Sequence, residues 1–281
     1  MPELPEVETM RRGILATIGS QITAVSRPRC VKQPIVIQPS FRTFRKRIEG
    51  TTILNLSRIG KRVAIWLDSG EVIVIEPRMT GLVLVDNAPT REHLRLRMKL
   101  ANGSKQSAIA DIYYWDRRGL GNVRLFSAEE FAEQFGPKKL GPDALEITAD
   151  EYHRRLGNSQ REIKVALLDQ RAVAGIGNLY AAEILHVARI HPQRRATDLS
   201  QKHWRSLANA TQAVLTEAIR YEGSTLSDGT YRNALNKHGG YQNQHRVYAR
   251  AGQPCPRCRR SSIKRIVQCQ RATFFCANCQ K

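Results

Sequence analysis

The chain has 281 residues, 41% of them hydrophobic, a composition that fits a folded globular protein and excludes an intrinsically disordered one. Lys and Arg number 45 against 25 Asp and Glu, and the formal net charge of +20 favours a polyanionic partner. No run approaches ~18 consecutive apolar residues and the start lacks a signal-peptide pattern, so we expect a cytoplasmic protein without a membrane span.

The first predicted element is a helix over residues 5–18. Pro5 suits the first turn, and Glu6 and Glu8 complement the positive end of the helix dipole. Apolar residues recur at helical spacing at Val7, Met10, Ile14 and Ile18. The protein is strongly basic, yet its first eight residues contain Pro2 and three carboxylates, those of Glu3, Glu6 and Glu8. A function for this acidic start is needed.

Between residues 21 and 127 the sequence changes to short, alternating runs rich in β-branched and aromatic residues. The clearest are RVAIWL, EVIVIE, GLVLVD, HLRLRMKL and AIADIYYW. The turn sequences DSG and NGS separate some of these runs. The pattern predicts an antiparallel sheet domain with two packed sheets or a barrel-like sandwich.

After about residue 128 the apolar spacing becomes helical. The helical runs are AEEFAEQF, ADEYHRRL, EIKVALLDQ, NLYAAEILHVA and QKHWRSLANATQAVLTEAIRYE. Residues 223–245 are polar and contain glycine, which predicts a mobile loop. The whole is an α+β multidomain protein, for which we expect domains at 1–130, 131–240 and 241–281.

Four of the six cysteines form two C-x-x-C pairs, CPRC and CANC, with residues 259–275 between them. This spacing predicts a tetrahedral structural zinc site. Its ligands would be Cys255, Cys258, Cys276 and Cys279. A disulfide framework would need an oxidising compartment, for which the sequence has no signal. Cys269 lies outside both pairs and is expected to be a spectator thiol, and Cys30 is expected to be buried.

A second motif lies in LLDQRAVAGIGNLYAAEIL. One helix is expected to end near Ala172 and the next to begin at Asn178. Gly175 and Gly177 would let backbone N–H groups approach an anion closely. An ordinary packing corner between two helices is the alternative, but the basic cysteine-rich segment nearby favours nucleic acid.

Six motifs occur in a consistent order along the chain: PELPEVET, SRIGK, RMTG, WDRRGLG, GIGNLYAAE and RATFFCANCQK. Together they resemble formamidopyrimidine-DNA glycosylases, base-excision repair enzymes that remove oxidised purines. The resemblance implies an N-terminal catalytic β-sandwich with an N-terminal helix, a helix–two-turn–helix domain and a zinc finger hairpin, with DNA between domains. It also implies one structural Zn²⁺, no redox or nucleotide cofactor, and a monomer acting on double-stranded DNA that contains oxidised bases or abasic sites.

The resemblance answers the question raised by the first residues. Without Met1, Pro2 presents a secondary α-amine, and an α-amine titrates near pH ~8 against ~10.4 for lysine, so more of it is nucleophilic. Such an amine can attack C1′ of a damaged nucleotide and form a charged iminium, which promotes β,δ-elimination. Glu3 would move protons at the sugar. Glu6 would hydrogen-bond the terminus or orient the sugar, or respond only to the helix dipole.

Other site residues follow from the resemblance alone. Lys61 and Arg271 would complete the catalytic set by contacting phosphates and assisting elimination. The remaining phosphate contacts would come from His93, Arg161, Lys164 and Asn178. Because a base must leave the duplex to be excised, three residues would fill the vacated space: Met79, Arg118, which would read the orphaned base, and Leu120, which would wedge the stack.

The chain departs from the family pattern in two places. DRRGLG stands where Asp-Pro-Arg-Arg-Phe-Gly is expected, so that Gly119 replaces an arginine and Leu120 a phenylalanine. Lesion search and opposite-base preference are the properties that this change would affect. In VYAR, Ala249 stands where the family tends to have glycine, which is expected to stiffen the approach to the zinc hairpin.

Three alternatives stay open on the sequence. A sister glycosylase acting on oxidised pyrimidines has the same fold and amine, but its start usually reads Pro-Glu-Gly-Pro-Glu, and Leu4 favours the purine branch. A non-catalytic zinc protein that detects damaged DNA would not need Pro2, Glu3, Lys61 and Arg271 together. An RNA-associated zinc-ribbon factor would explain the charge but not the first residues.

Overall fold

A computed structural model describes residues 2–85, 87–102, 111–226 and 229–281, except for the side chain of residue 102. The chain divides into two compact units. Unit 1 comprises Met1–Gly136 and Tyr221–Gly240, and unit 2 comprises Pro137–Arg220 and Tyr241–Lys281. This division differs from the expected domains, because residues 221–240 belong to unit 1 and the cysteine-rich segment shares unit 2 with the helices. Within the described ranges, no helix is long and apolar enough to cross a membrane.

The helices and strands of unit 1 are as follows. The helices are α1 (Leu4–Gly13), α2 (Phe41–Ile48) and α3 (Ala128–Phe135). The strands are β1 (Ser20–Ser26), β2 (Val36–Gln38), β3 (Ile53–Ile59), β4 (Arg62–Leu67), β5 (Val72–Glu76), β6 (Gly81–Val85), β7 (Leu94–Asn102), β8 (Ile112–Asp116) and β9 (Asn122–Phe126). They form a four-stranded sheet, order β1-β7-β8-β6, and a five-stranded sheet, order β2-β9-β5-β4-β3.

The two packed sheets predicted from the alternating runs are confirmed. Apolar residues of both sheets meet in one buried cluster that includes Ile65, Ile75, Leu84 and Leu96. Neighbouring strands are antiparallel except β2 and β9, which are parallel. The predicted sheet therefore differs in one short edge strand.

The N-terminal helix is shorter than predicted. Val7, Met10 and Ile14 are fully buried, as their spacing indicated. The α-helix ends at Gly13, and a 3₁₀ turn, Leu15–Thr17, follows it. Ile18 consequently lies off the apolar face and is 42% exposed, so its assignment to that face is wrong.

Helix α2 was not predicted. The Ser40 hydroxyl caps it by accepting from the Thr43 N–H, and Phe44 and Ile48, four residues apart, are fully buried. Cap and spacing are both present in the sequence, but they lie within a stretch dominated by strand signals.

Residues 221–240 return to unit 1 after the long helix of unit 2. In this segment, which was predicted to lie in a mobile loop, Tyr231 and Ala234 join the buried apolar cluster. The Tyr231 hydroxyl donates to the Glu222 carbonyl at 3.0 Å, and Thr225 Oγ1 donates to the Tyr231 carbonyl at 2.8 Å. The described residues of this segment are thus part of the unit 1 core.

Unit 2 contains helices and a two-stranded hairpin. Its elements are α4 (Ala149–Leu156), α5 (Ile163–Ala166), α6 (Asn178–Ala188), α7 (Gln201–Arg220), β10 (Lys264–Gln268) and β11 (Arg271–Phe275). The helices predicted after residue 136 match these, except that EIKVALLDQ is α-helical only over Ile163–Ala166, and the predicted helix AEEFAEQF is α3 of unit 1. Tyr152 of α4 and Thr211 of α7 hydrogen-bond through their hydroxyls at 3.0 Å inside the helical core.

Candidate functional site

The first residues of the chain are buried in unit 1. Pro2 is buried, and Glu3 and Glu6 are only 4% and 3% exposed. The Glu3 N–H donates to Glu6 Oε2 at 2.9 Å, and the Ser224 N–H donates to Glu6 Oε1 at 2.8 Å. Glu6 therefore fixes the backbone beside Pro2 and connects it to the segment 221–240. Two carboxylates thus lie in a low-dielectric environment next to the proline.

Glu8 has a different role from the other two acids. It accepts from Arg11 Nη2 and Arg12 Nε, both at 2.8 Å, and from Arg58 Nε at 3.3 Å. Burial alone would raise its pKa, but the hydrogen bonds from Arg11 and Arg12 and the charges of Arg11 and Arg58 outweigh burial and lower the pKa to about 2. Glu8 is thus a carboxylate that is ionised at neutral pH and connects α1 to β3.

Lys61 lies in the two-residue turn between β3 and β4. Gly60, its neighbour in the turn, has φ 56°, a left-handed conformation that glycine adopts without strain. Arg58 Nη1 donates to the Gly60 carbonyl at 3.2 Å. The Glu8–Arg58 contact therefore joins the helix that follows Pro2 to the turn that carries Lys61. Sequence reasoning missed this pair because its members are 50 positions apart.

The residues predicted to fill the DNA gap are exposed on unit 1. Met79 and Leu120 are each 40% exposed, and Arg118 is exposed as well. An ordinary core role, the default for a methionine and a leucine, is thereby excluded. Their exposure is compatible with the predicted contact to DNA.

A buried carboxylate, that of Asp116, joins the two segments that carry these residues. Asp116 is 0% exposed and accepts from the Thr80 hydroxyl, from the Arg118 N–H at 3.1 Å and from the Gly121 N–H at 2.8 Å. Thr80 directly follows Met79 in the chain. Sequence reasoning missed both Asp116 and Thr80, although the aspartate at the head of DRRGLG was visible.

The glycine that departs from the family pattern fits the backbone of this loop. Gly119 has φ +66°, and a Cβ atom built there would lie 2.3 Å from the Gln33 carbonyl oxygen. Any larger residue would require both a strained φ and a displaced neighbour. The backbone conformation and the close Gln33 carbonyl therefore both favour glycine at position 119 over the arginine of the family pattern.

Two of the predicted phosphate contacts have other partners in the structure. His93 of unit 1 is half-buried, with its ring edge-on to Trp115 at a centroid distance of 5.4 Å. In unit 2, Arg161 is exposed and its Nη1 donates to Asp169 Oδ2 at 3.0 Å. Contact of Arg161 with a phosphate would compete with this exposed ion pair, which contributes little to stability.

Lys164, Asn178 and the hairpin form a connected chain of hydrogen bonds within unit 2. Lys164 is 0% exposed, and its Nζ donates to Asn178 Oδ1 at 2.7 Å. Asn178 Nδ2 donates in turn to the Ala272 carbonyl at 3.0 Å. Ala272 follows Arg271, so the structure brings three of the predicted contacts, Lys164, Asn178 and Arg271, into one region.

The turn before α6 requires glycine at Gly175, but the backbone N–H that was predicted to approach an anion has a side-chain partner here. Gly175 has φ +108°, and its N–H donates to Gln170 Oε1 at 3.0 Å. Gln170 Nε2 donates to the Ile176 carbonyl at 2.9 Å. The Gln170 side chain, which sequence reasoning did not single out, thus fixes the loop that precedes Asn178.

The four predicted ligands converge in unit 2. The Sγ atoms of Cys255, Cys258, Cys276 and Cys279 all lie within 4.8 Å of one another. The Sγ–Sγ distances are 3.8 Å for Cys255–Cys279 and 3.8 Å for Cys258–Cys276. Zn–S bonds of about 2.3 Å in a tetrahedron give an S–S edge of about 3.8 Å. The thiols therefore fit a structural zinc ion.

The two remaining cysteines lie outside this group. Cys269 is exposed at the hairpin tip. Cys269 and Gln270 have φ 45° and 62°, positive values that are typical of a type I′ turn. Arg271, which is exposed, directly follows this turn and begins β11. Cys30 was expected to be buried, but it is half-exposed. Its Sγ accepts from Nη1 of the buried Arg95 at 2.7 Å and donates to the Glu92 carbonyl at 3.0 Å.

The fold and the site define a zinc-finger protein with a β-sandwich and a helix–two-turn–helix domain. Family sequence models match three consecutive parts of the chain: the formamidopyrimidine-DNA glycosylase N-terminal domain at residues 1–123, the H2TH domain of the same family at 140–230, and a zinc finger found in FPG and IleRS at 252–281. The three matches follow the order of the predicted domains.

Whole-chain comparisons agree. A formamidopyrimidine-DNA glycosylase of Streptococcus thermophilus is 38% identical over 287 residues, covering 100% of both chains. A Lactococcus lactis FPG mutant in complex with Fapy-dG-containing DNA has a TM-score of 0.87 at 31% identity, covering 100% of both chains. The Lactococcus lactis Fpg with abasic-site DNA has a TM-score of 0.86 at 30% identity, covering 99% of both. The chain belongs to the formamidopyrimidine-DNA glycosylase family.

Proposed function

We propose that this chain excises oxidised purines, including 8-oxoguanine and formamidopyrimidines, from duplex DNA through the amine of Pro2, and then cleaves the strand. Membership of the family gives the reaction class, a DNA glycosylase with AP lyase activity. The observation that carries the residue assignment is the buried start of α1, where Pro2 lies beside Glu3 and Glu6. A terminal amine next to buried carboxylates is suited to nucleophilic and proton-transfer steps.

The first step exchanges one bond for another at the sugar. The Pro2 nitrogen forms a bond to C1′ while the C1′–base bond breaks, and the departing base nitrogen takes up a proton. The Pro2 nitrogen then loses its proton, the C1′–O4′ bond breaks and O4′ takes up a proton, which leaves an iminium between Pro2 and C1′ that acidifies the proton on C2′. Loss of that proton expels the 3′ phosphate, and a second elimination expels the 5′ phosphate. Glu3 is the group that we assign to proton transfer at the sugar.

Five basic or polar side chains are assigned to the phosphates directly, and a sixth acts through one of them. Lys61, held in its turn by the Arg58 contact, and Arg271, at the hairpin tip, would stabilise the negative charge that leaves during elimination. Asn178 and His93 would bind neighbouring phosphates, with Arg161 as a further contact. Since Lys164 is fully buried against Asn178, it would act on the phosphate through that amide.

Opening of the duplex is assigned to the exposed residues of unit 1. Met79 would occupy the space of the extruded nucleotide and Leu120 would separate the stacked bases. Arg118 would donate hydrogen bonds to the acceptor edge of the orphaned cytosine. We infer that the partner is double-stranded DNA with oxidised bases or abasic sites, and that the protein acts as a monomer in the cytoplasm, where the chromosome is.

Borohydride trapping tests this assignment. Incubation with a duplex that contains 8-oxoguanine should give a covalent protein–DNA adduct, and peptide mapping should place it on Pro2 with Met1 absent. A thymine-glycol duplex and an undamaged duplex are the matched controls, and stronger trapping on thymine glycol would favour the oxidised-pyrimidine alternative. Fully active protein that retains Met1 would overturn the assignment of Pro2.

A further inference from the structure

We infer that the imidazole of His186 on α6 donates an N–H···S hydrogen bond to the Cys255 thiolate, and thereby slows the loss of zinc from the finger. His186 was not singled out by the sequence, since a histidine on a mostly apolar helix is ordinarily a packed core residue. Its position relative to the four thiols gives it a further role.

The geometry of the contact is that of a hydrogen bond. His186 Nε2 lies 3.4 Å from Cys255 Sγ, and the two residues are 1% and 0% exposed. The other ring nitrogen, Nδ1, is buried and has no partner among the described residues. A thiolate that ligates zinc has no proton to donate, so a hydrogen bond between these two atoms requires the proton on Nε2, facing the sulfur.

The direction of the bond suits the chemistry of the site. Zinc is held by thiolates, and four thiolates carry more negative charge than one Zn²⁺ balances. A hydrogen bond to a ligand atom withdraws electron density from it and fixes its orientation. Nε2 carries a proton both in this neutral tautomer and in the imidazolium, so the donor role does not depend on the charge of the ring.

The same turn of α6 makes a second contact to the finger. Arg257, inside the CPRC loop, donates from Nη1 to the His186 carbonyl at 3.1 Å, near the C-terminal end of α6. A guanidinium at this end is favourable because it satisfies a terminal carbonyl and opposes the negative end of the helix dipole. Side chain and backbone of His186 thus both face the loop that holds Cys255 and Cys258.

One turn before His186 on the same helix, Glu183 anchors the segment that leads into the finger. It accepts from the backbone N–H groups of Arg246, Val247 and Tyr248 at 2.9, 2.9 and 2.8 Å. Helix α6 therefore fixes both the entry to the finger and its first ligand pair. Loss of the His186 donor should therefore weaken the hold on Cys255, while the hydrogen bonds from residues 246–248 to Glu183 remain.

Zinc release from the loaded protein tests the inference. In excess chelator, His186→Phe should release zinc about tenfold faster than the unmodified protein, the lower end of the effect of removing a ligand's hydrogen-bond partner. His186→Gln, which keeps an N–H donor, should stay closer to the unmodified rate. His245→Phe is the matched control, because His245 is also buried in unit 2, with its ring against Tyr241 and Tyr248. A rate for folded His186→Phe within twofold of the unmodified protein would overturn the inference.

A second measurement uses the unmodified protein, so it does not depend on whether the His186→Phe variant folds. With ¹¹³Cd in place of zinc and ¹⁵N-labelled histidine, the Nε2 proton of His186 should show a scalar coupling to the metal through the sulfur. A ¹⁵N shift that shows His186 Nε2 to be without a proton would overturn the inference. Neither readout depends on DNA or on Pro2, so the failure of this inference is distinguishable from failure of the proposed function.

Discussion

The 116–121 loop of unit 1 and the hairpin tip of unit 2 both present an arginine to solvent, but they are held by different chemistry. In the first, the buried Asp116 carboxylate accepts hydrogen bonds from the loop backbone and from Thr80. In the second, four thiols that fit zinc close the base of the hairpin that carries Arg271. One loop is thus held by hydrogen bonds to a single charge, the other by metal–ligand bonds whose total strength is several times larger.

Removal of zinc should have the largest effect, and it should be confined to unit 2. Binding energy on the order of 10 kcal/mol supports the hairpin. Chelation should therefore abolish the contribution of Arg271 to DNA binding, while near-ultraviolet signals from Trp66 and Trp115 in unit 1 stay unchanged. DNA affinity and circular dichroism on the same samples measure the two effects.

The matched pair for this test is Cys258→Ser and Cys269→Ser. The first removes a predicted ligand and should lose the metal, and the second changes the exposed thiol at the tip and should keep one equivalent. Metal analysis that finds the opposite pattern would show that the assigned ligand set is wrong.

Asp116→Asn tests the weaker of the two supports. The amide would place an N–H₂ group against one of the N–H or O–H donors, at a cost of about 1.5–3 kcal/mol for a lost hydrogen bond to a charged group. The unfolding free energy should fall by about this amount. Because Arg118 would lose its fixed backbone, the preference for a lesion opposite cytosine over one opposite adenine should shrink about tenfold.

Cleavage of an abasic site in single-stranded DNA serves as the internal control, since it requires no gap to be filled. Its rate should stay unchanged in Asp116→Asn. Asp68→Asn, at an exposed turn, is the matched variant and should alter neither property. An unchanged opposite-base preference in Asp116→Asn would separate this carboxylate from the positioning of Arg118.

The same two regions show what the sequence could and could not predict. The zinc ligands and the hairpin follow from cysteine spacing, and the strands follow from local alternation, because both signals lie within a few residues. The Asp116–Thr80 and Glu8–Arg58 contacts join residues 36 and 50 positions apart, and no local pattern indicates which charge meets which donor. The roles of Pro2, Glu3, Lys61 and Arg271 came from the family resemblance and stay predictions.

Acid should distinguish another buried carboxylate of unit 1, Glu8 with its arginine partners, from the zinc site of unit 2. The folded pKa of Glu8 is about 2, below its ordinary value of 4.5, so its contribution is complete above pH 4.5 and is lost as the pH falls towards 2. Glu8→Gln should lower the unfolding free energy by about 2 kcal/mol at pH 7, allowing for solvent screening, and the difference should vanish near pH 2. Protonation of the thiolates should release zinc from unit 2 at a higher pH than this loss.

Urea denaturation at several pH values measures the first effect, and a zinc indicator measures the second. Glu92→Gln, whose side chain is 61% exposed, is the control and should show no comparable dependence on pH. A Glu8→Gln difference that persists at full size at pH 2 would contradict the assigned ion cluster.

The smallest expected effect on stability comes from a residue with positive φ, Ala249, in the segment that leads to the finger. The 116–121 loop has glycine at its left-handed position, Gly119, but the approach to the finger has alanine, and Ala249 adopts φ 58°. A left-handed alanine is strained by about 1–2 kcal/mol, and the greater chain entropy of an unfolded glycine offsets about 0.5–1 of this. Because Ala249 is exposed, its methyl group contributes little burial. Ala249→Gly should therefore raise the unfolding free energy of unit 2 by about 0.5–1 kcal/mol, measured by denaturation of the zinc-loaded protein. Ala251→Gly, at an exposed position two residues later, should instead lower it slightly, and a stabilisation of equal size in both variants would remove φ as the cause.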